Sequence, residues 1–585
     1  MAETCFNNNP VPLAREGHLS GLHTEPVSTV SSNMKEPQPP PAVIPGSTSI
    51  SSTATTQRNP RFIVIGAGSR GNAYARAVKT TTPGVIHAVA EPHDFKRREF
   101  GQNYIWGADG SPSKGQEFTD WRDWVQWETE RRKKSIATDG DDSSSTAIPH
   151  GVDGVFICTL DETHVEIIQA IAPLQLHILC EKPLALSLDD CLTVYRTLQP
   201  QPEFASQRPN PPTTIFSIGH VLRYSPHNTL LRKLLLTDRV IGDIVSLEHT
   251  EPVGWWHFSH SYVRGNWRRA TANGDGSLLT KSCHDIDFIL WLLCSPASLE
   301  DARHQPHFPR SISSAGSLTQ FRHARKPVAA GDATNCISCP IERECIYSAV
   351  RIYKDRHLAK GHRKWPVDIV CPDIEDVCRA SGDAAAEEHL LSRLREDYDV
   401  RIQSDADIAA KPWYGRCVYE ADNSVCDDQV VTLAWDDEEL DPKRLAKTAT
   451  FHMIAPTEKQ CERRGRVYGT TGEIEYDSNT ISIYDFASAT TRKIDVPRPP
   501  PERAESHGGG DYGLAGQYVH AVNAVMNKGL DVETAQARFI GCTLEEAVQS
   551  HAVVFAAEEA RREERVVKWK EWWEGKLKLK DSGAA

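Results

Sequence analysis

Residues 278–287, LLTKSCHDID, gather a lysine, a cysteine, a histidine and two aspartates directly before the apolar run FILWLL. Wound as an α-helix at about 100° per residue, the stretch sets Lys281, His284 and Asp285 on one face with Asp287 on its flank. Ile286, Ile289, Leu290 and Leu293 fall on the opposite side, where a core would take them. An imidazole with an ordinary pKa of about 6.5 is often neutral in the cell and can accept a hydroxyl proton. The plain alternative is a surface helix stabilised by an i,i+4 Lys–Asp pair, a weak interaction.

A second lysine offers a partner. In ILCEKPLALS, Lys182 follows a strand-like run, at the end where open α/β sheets place their ligands. Pro183 keeps Lys182 out of the helical region, which helps aim its side chain, and Glu181 could hold or tune the ammonium. Upstream, GAGSRG sets Gly66, Gly68 and Gly71 in G-x-G-x-x-G spacing between strand-like RFIVI and helical NAYARAV. Gly66 serves a tight turn, Gly68 lets backbone approach a pyrophosphate, and Gly71 permits close strand–helix packing. The helix N-terminus then offers free N–H groups to the anion. Glu91, at the end of VIHAVAE, stands where a carboxylate hydrogen-bonds a ribose 2′-hydroxyl and repels a 2′-phosphate. NAD is therefore favoured over NADP, with Arg97 and Arg98 close enough to soften the preference. The expected dinucleotide contacts are Gly66, Gly68, Ser69, Arg70, Gly71, Glu91, Thr159, His164, Glu181 and Lys182.

Elements must carry these residues. The chain has 585 residues, more than one core usually organises. A formal net charge of −13 argues against a general nucleic-acid or anionic-membrane binder. No run approaches the roughly 20 apolar residues that span a bilayer, and the N-terminus lacks the order of a secretory signal. Most of the 15 cysteines sit in apolar runs such as VFICTL, which reads as reduced thiols in a soluble cytoplasmic protein. Residues 1–59 are rich in Ser, Thr, Pro and Asn and read as disordered.

Over residues 60–240, short apolar runs alternate with helical patterns, which predicts βαβ units on a parallel sheet. TERRKKSIATDGDDSSSTAIPHG and PQPEFASQRPNPPTT look like loop insertions there. Over 241–575, DIVSLEHTEPVGWW, DDQVVTLAW, TATFHMIAP, GRVYGTTGEIEYD and TISIYDF follow one another without regular crossover helices. They predict a second, α+β domain on an open mixed or antiparallel sheet, with a Cys-rich insert over about 330–412. VVFAAEEARREERVVKWKEWWEGKLKLK reads as one long, charged closing helix.

With the glycine turn and Glu181-Lys182-Pro183 in one chain, the sequence resembles the Gfo/Idh/MocA family of glucose–fructose oxidoreductase and inositol dehydrogenase relatives. The resemblance covers about residues 61–560, insertions excluded. It implies an N-terminal Rossmann domain and a C-terminal open sheet whose face pairs subunits into a homo-oligomer. It implies that Lys182 touches cofactor and substrate near the reacting carbon. His284 and Asp287 match the family's His-plus-Asp helix, so Lys281 and His284 would look across a cleft at the nicotinamide. EPVGWWHFSHSYVRGNWR, YGRCVYEADNSVCDDQVV and HGGGDYGL look like a narrower branch, named after a streptomycin-biosynthesis dehydrogenase acting on an inositol-type ring. One departure is Thr280, where many members carry an Asp four residues before the His; adjacent Lys281 offers a different polar group.

The implied function is NAD- or NADP-dependent hydride transfer at a secondary alcohol or ketone of a sugar or cyclitol, with Lys182, His284, Asp287 and Lys281 as the catalytic set. An NAD-dependent, redox-neutral glycosidase and a non-catalytic dinucleotide or sugar sensor are the alternatives; Lys182 together with His284 argues against the sensor. Arg223 and Tyr224 in GHVLRYSP, Trp267, and His507 and Asp511 in HGGGD are candidate substrate contacts. The three glycines of HGGGD would let backbone approach a hydroxylated ligand, although a surface loop fits the preceding prolines equally well. Trp255 and Trp256 could join Trp267 as a sugar-stacking wall, core packing being the commoner use. CISCPIEREC sets Cys336, Cys339 and Cys345 in C-x2-C-x5-C order. That suits a structural zinc with a fourth ligand from Cys371, Cys378 or Cys417, or else a buried thiol cluster.

Overall fold

The computed structural model describes residues 57–138, 151–199, 212–271, 273–295, 306–438, 444–500 and 507–581. The segment expected to be disordered, 1–59, lies outside the described residues up to position 56, as do 139–150 and 200–211 of the two expected insertions. Residues 129–138 of the first insertion are helical, continuing Trp121–Thr138. Buried Glu128 explains the extension: Arg131 and Arg132, one turn on, both donate to its Oε1 at 2.7 Å.

The first sheet comprises β1 (Arg61–Ile65), β2 (Val85–Ala90), β3 (Glu117–Phe118), β4 (Gly154–Ile157), β5 (His177–Cys180) and β6 (Phe216–Ile218). Their order is β3-β2-β1-β4-β5-β6 and every pair is parallel. The runs RFIVI, GVFI and HILC are apolar almost throughout because helices cover both faces of such a sheet. Helices α1 (Ser69–Thr81) and α2 (Asp94–Tyr104) follow β1 and β2. Register does the positioning. Ile65 lies opposite Ala90 and Ile157, and Ile157 opposite Cys180. The strands therefore end level, and the residues that follow them, Gly66, Glu91, Cys158 and Glu181, collect along one edge. That is the edge where open α/β sheets bind ligands.

The second sheet is built from β7 (Ile244–Pro252), β8 (Ser311–Ser317), β9 (Asp428–Trp435), β10 (Lys447–Ile454), β11 (Arg464–Gly469), β12 (Gly472–Asp477), β13 (Ile481–Asp485), β14 (Thr490–Ile494) and β15 (Val567–Lys568). Its order is β14-β13-β12-β11-β7-β10-β9-β8-β15. β10 and β7 run parallel and the other pairs antiparallel, so the sheet is mixed. All five strand-like pieces read from the sequence fall within it. Along β7 the two-residue period turns Leu247, His249 and Glu251 inward. They meet α3 (Cys283–Leu293), which is buried on every side.

Two later helices close the molecule. α4 (Gly510–Lys528) packs on α1, and its Tyr518 ring meets Phe156 edge-on at 5.1 Å and Phe62 at 5.5 Å. α5 (Leu544–Arg562) buries Val553–Ala557 and lies against β8. The single charged closing helix expected from the sequence is thus two helices: the chain leaves α5, pairs β15 with β8, and resumes as Trp569–Asp581. Burial of the VVFAA side outweighs solvation of the charged one. Among the described residues no helix is long and apolar enough to cross a membrane.

Candidate active site

A cleft of about 1440 Å³ runs along the level strand ends of the first sheet and reaches α3. Gly66, Gly68, Ser69, Arg70, Glu91, Thr159, Glu181 and Lys182 line it from one side, and Trp267, Lys281, His284 and His507 from the other elements. Each glycine of the corner meets a separate need. Gly66 has φ +94, and a Cβ there would stand 2.5 Å from the Cys158 carbonyl oxygen. A Cβ on Gly71 would lie 2.1 Å from the Gly66 oxygen. At Gly68 nothing lies within 4 Å, so that position opens on the cleft. The N-terminus of α1 carries no side-chain cap, leaving its N–H groups available to an anion.

Glu91 is buried and braces this corner, accepting from Ala67 N–H at 2.8 Å and His93 N–H at 2.9 Å. Arg97 and Arg98 are already committed: Arg97 to Glu117 and Asp94, Arg98 to Asp94 and Asp376. Their softening of a cofactor preference is correspondingly reduced. Arg70 lines the cleft, yet its guanidinium grips Asp511 through two bonds of 2.9 and 2.6 Å and reaches Glu181 at 3.0 Å. Tyr74 O–H donates to the same Glu181 oxygen. Burial would raise the Glu181 carboxyl, but Arg70, Tyr74 and Lys182 together outweigh it and hold the group below the ordinary carboxylate range. Thr159 accepts from Thr163 O–H at 2.6 Å.

Lys182 follows β5, with a cis bond to Pro183, and its ammonium donates to the Thr280 carbonyl at 2.8 Å. The backbone of Thr280 makes this contact, so the departure noted at that position leaves it intact. His284, the second residue of α3, is buried with its Nδ1 unpartnered. Burial, and then the nearby charge of Lys182, push its pKa well below the ordinary imidazole value. The ring therefore stays neutral near neutrality. His507 lies 5.9 Å from it, centroid to centroid, and its Nδ1 is 3.2 Å from Asp511.

Several expected contacts lie elsewhere. Asp287 is fully buried away from the cleft, held by Arg223 Nε and Nη2 at 2.8 Å each. This clamp removes both Asp287 and Arg223 from the cleft lining. Tyr224 O–H is turned to the Ile540 carbonyl at 2.7 Å. Asp511 is sealed beneath Arg70 and acts on the cleft through Arg70 and His507, which both line it. His164 is buried and donates to the Pro183 carbonyl at 2.9 Å, so it braces the lysine segment instead of touching a cofactor. Trp267 does line the cleft, with its indole N–H on Asp161 at 2.8 Å. Trp255 and Trp256 pack against the Cys-rich insert. Of HGGGD, only Gly508 among the glycines lines the cleft; a Cβ on Gly510 would lie 2.4 Å from the Val221 oxygen.

The expected metal site is not supported. Among the described residues no group of three or more His, Cys, Asp or Glu side chains could hold a metal ion. Cys336 is buried, and its sulfur takes an N–H from Arg264 Nη2 at 3.4 Å, while Cys339 and Cys345 are half-buried.

The sequence reading missed a second cluster beside α3. The helix breaks at Lys281, between Ser277–Thr280 and Cys283, so Asp285 turns to the mixed sheet and not to the cleft. There Arg463 donates to it at 2.9 and 3.1 Å, and His249 Nε2 lies 2.9 Å away. Glu251 accepts from Arg463 at 2.7 Å and Ser282 O–H at 2.7 Å. Lys281 reaches Glu251 at 3.3 Å and donates to Cys461 Sγ at 3.0 Å. No motif marks this group: Cys461 and Arg463 lie in the loop-like EKQCERRG.

Residues 60–206 match the NAD-binding Rossmann fold of the Gfo/Idh/MocA oxidoreductase family, and residues 233–313 match its C-terminal alpha/beta domain. The chain is similar to inositol 2-dehydrogenase 2 of Saccharopolyspora erythraea, 32% identical over 143 residues, 24% of this chain and 35% of that protein. It is also similar to 2,7-anhydro-N-acetylneuraminate hydratase of Escherichia coli, 28% identical over 142 residues, 24% of this chain and 34% of that one. The chain thus spans about a third of the length of these curated relatives. In fold it is similar to levoglucosan dehydrogenase solved with NADH and levoglucosan (TM-score 0.50, 14% identity, covering 87% of this chain and 99% of the other). A similar likeness holds for an Agrobacterium radiobacter oxidoreductase solved with NAD+, L-tartaric acid and magnesium (TM-score 0.50, 12%, covering 87% and 98%). Residues 60–206 and 233–313 thus carry the two domains of the Gfo/Idh/MocA oxidoreductase family.

Proposed function

We propose that the protein is an NAD-dependent oxidoreductase acting on a secondary alcohol or ketone of a sugar or cyclitol. The observation that carries this reading is the meeting of Lys182 and His284, from different sheets' surroundings, in the one cleft that also contains the glycine corner. The residues fit a dinucleotide: open space at Gly68, an uncapped α1 N-terminus, and a carboxylate, Glu91, at the end of β2. Glu91 favours NAD over NADP by charge. A bound nicotinamide dinucleotide supplies the hydride acceptor or donor. The neutral imidazole of His284 takes the substrate hydroxyl proton, and Lys182 donates a hydrogen bond to the oxygen as negative charge develops there. In the reverse direction His284 returns the proton. Burial of His284 keeps it unprotonated and ready as a base, and the Thr280 carbonyl anchors Lys182.

A redox-neutral reading, in which the substrate is oxidised and re-reduced around an elimination, draws support from further imidazoles on the same cleft, His257 and His507. Such chemistry needs an acid or base at a second carbon. Calorimetric titration with NAD+ and NADP+, followed by a screen of sugars and inositols, tests both readings. Stoichiometric change in nicotinamide absorbance supports the dehydrogenase, and turnover without net change supports the redox-neutral enzyme. Failure to bind either dinucleotide sinks both. The reading extends to the division of the chain near residue 240 and to a homo-oligomer paired through the outer face of the mixed sheet, where Tyr484 is exposed. Light scattering of the purified protein tests the pairing.

A further inference from the structure

The cleft also carries a nucleophile that hydride transfer leaves idle. Cys461, in the connection between β10 and β11, lines the cleft. Lys281 Nζ donates to its sulfur at 3.0 Å, and His257 Nδ1 lies 3.6 Å from the same atom. The backbone fixes the thiol. Cys461 N–H donates to the Pro252 carbonyl at 2.6 Å, Arg463 Nη1 donates to the Cys461 carbonyl at 3.1 Å, and φ is +60. A non-glycine residue persists in that left-handed region only where its surroundings over-determine it, which is common at functional sites.

Charge balance points the same way. Lys281 and Arg463 are buried cations, and Asp285 is one fixed anion between them and the sheet. The other acidic groups in contact with these two cations are Glu251 and Cys461. Burial pushes the Glu251 carboxyl up to about 7 despite Arg463, so it carries a proton much of the time near neutrality. Burial also opposes ionisation of Cys461, but Lys281 and then Arg463 outweigh it. The ammonium of Lys281, 3.0 Å from the sulfur, thus favours the thiolate of Cys461 more than water would.

We propose that Cys461 is a reactive thiolate and a site of reversible oxidation by hydroperoxides that enter the cleft. The sulfur attacks one peroxide oxygen, and the S–O bond forms as the O–O bond breaks. Sulfur loses two electrons, the peroxide gains them, and the departing hydroxide, or alkoxide from an organic hydroperoxide, takes a proton from solvent and leaves as water or alcohol. The product is a sulfenic acid, which an external thiol can reduce. Cys378 is the internal control. It is also half-buried, but its S–H donates to a carboxylate, Asp383, at 2.9 Å, and that contact disfavours the thiolate.

The test needs no cofactor or substrate, so its outcome is separate from that of the proposed function. The full-length protein is exposed briefly to iodoacetamide near neutral pH, and labelled peptides are quantified by mass spectrometry. Cys461 is expected to label about tenfold faster than Cys378. Lys281→Met is expected to slow Cys461 about fivefold, while Lys281→Arg, which keeps the charge, retains most of the rate. Hydrogen peroxide followed by dimedone should tag Cys461 as sulfenic acid, a signal lost in Cys461→Ser. Equal labelling of Cys461 and Cys378, or equal rates in the two Lys281 variants, overturns the proposal. If Lys281→Met does not fold, the wild-type pH profiles decide: labelling of Cys461 must persist to lower pH than that of Cys378, and coincident profiles overturn it.

Discussion

On the sides of α3 turned away from the cleft, Asp285 and Asp287 are each gripped by an arginine through two hydrogen bonds. On the side turned toward the cleft, His284 has a buried Nδ1 without a partner, and Lys182 ends on a single backbone carbonyl. The same short stretch of sequence supplies both behaviours. Complete pairing holds a charge still and gives the helix its place. Incomplete pairing leaves capacity that a substrate can use. This distinction separates the positioning residues from those proposed to touch the reacting atoms.

Substitutions on the two sides should therefore fail differently. The largest effect is expected for His284→Ala: turnover falls about 10²- to 10⁴-fold while dinucleotide affinity and thermal midpoint stay close to wild type. An unfolded variant, or one with undiminished turnover, would erase the contrast. Asp287→Ala should do the reverse. It strands Arg223 in the interior and costs about 3–5 kcal/mol of stability, read by urea denaturation. Lys182→Gln sharpens the cleft side through pH. Lys182 lowers the pKa of His284, so removing its charge raises that pKa and moves the acid limb of kcat/KM to higher pH. A limb that moves down or stays put contradicts the assigned contact. The smallest structural effect is expected for Gly68→Ala, which meets no protein atom within 4 Å and should change stability by less than about 1 kcal/mol. Dinucleotide affinity should nonetheless fall, as measured by calorimetry.

Much of this was legible in the sequence, for reasons tied to particular residues. RFIVI-GAGSRG announces a buried strand, a left-handed turn and a helix start in consecutive residues, and the structure places them so. The five strand-like pieces after residue 240 alternate strongly enough to read. β8 does not, because SISSAGS is small and weakly apolar and joins the sheet by register with β9. Proline and helix context single out Lys182 and His284 in the sequence, and both line the one cleft. Asp285 and Asp287 were misplaced because the helical wheel assumes an unbroken helix, and the break at Lys281 rotates them relative to it. Glu251, Arg463 and Cys461 were invisible for another reason. Their meaning arises only when β7, α3 and the β10–β11 connection come together, and no local spacing records that.

The packing of α4 on α1 has a consequence for the order in which the protein can acquire structure. Tyr518 supplies the ring that completes the Phe62–Phe156 cluster under the glycine corner, and it is synthesised long after the strands it covers. A nascent chain holding only the first six strands exposes that aromatic face to water and to other unfinished chains. Contacts so distant along the chain form slowly, since a large loop must close before they contribute. The nucleotide half, first off the ribosome, is thus among the last parts to be finished, and a premature stop before α4 should yield aggregate in place of a smaller binding domain.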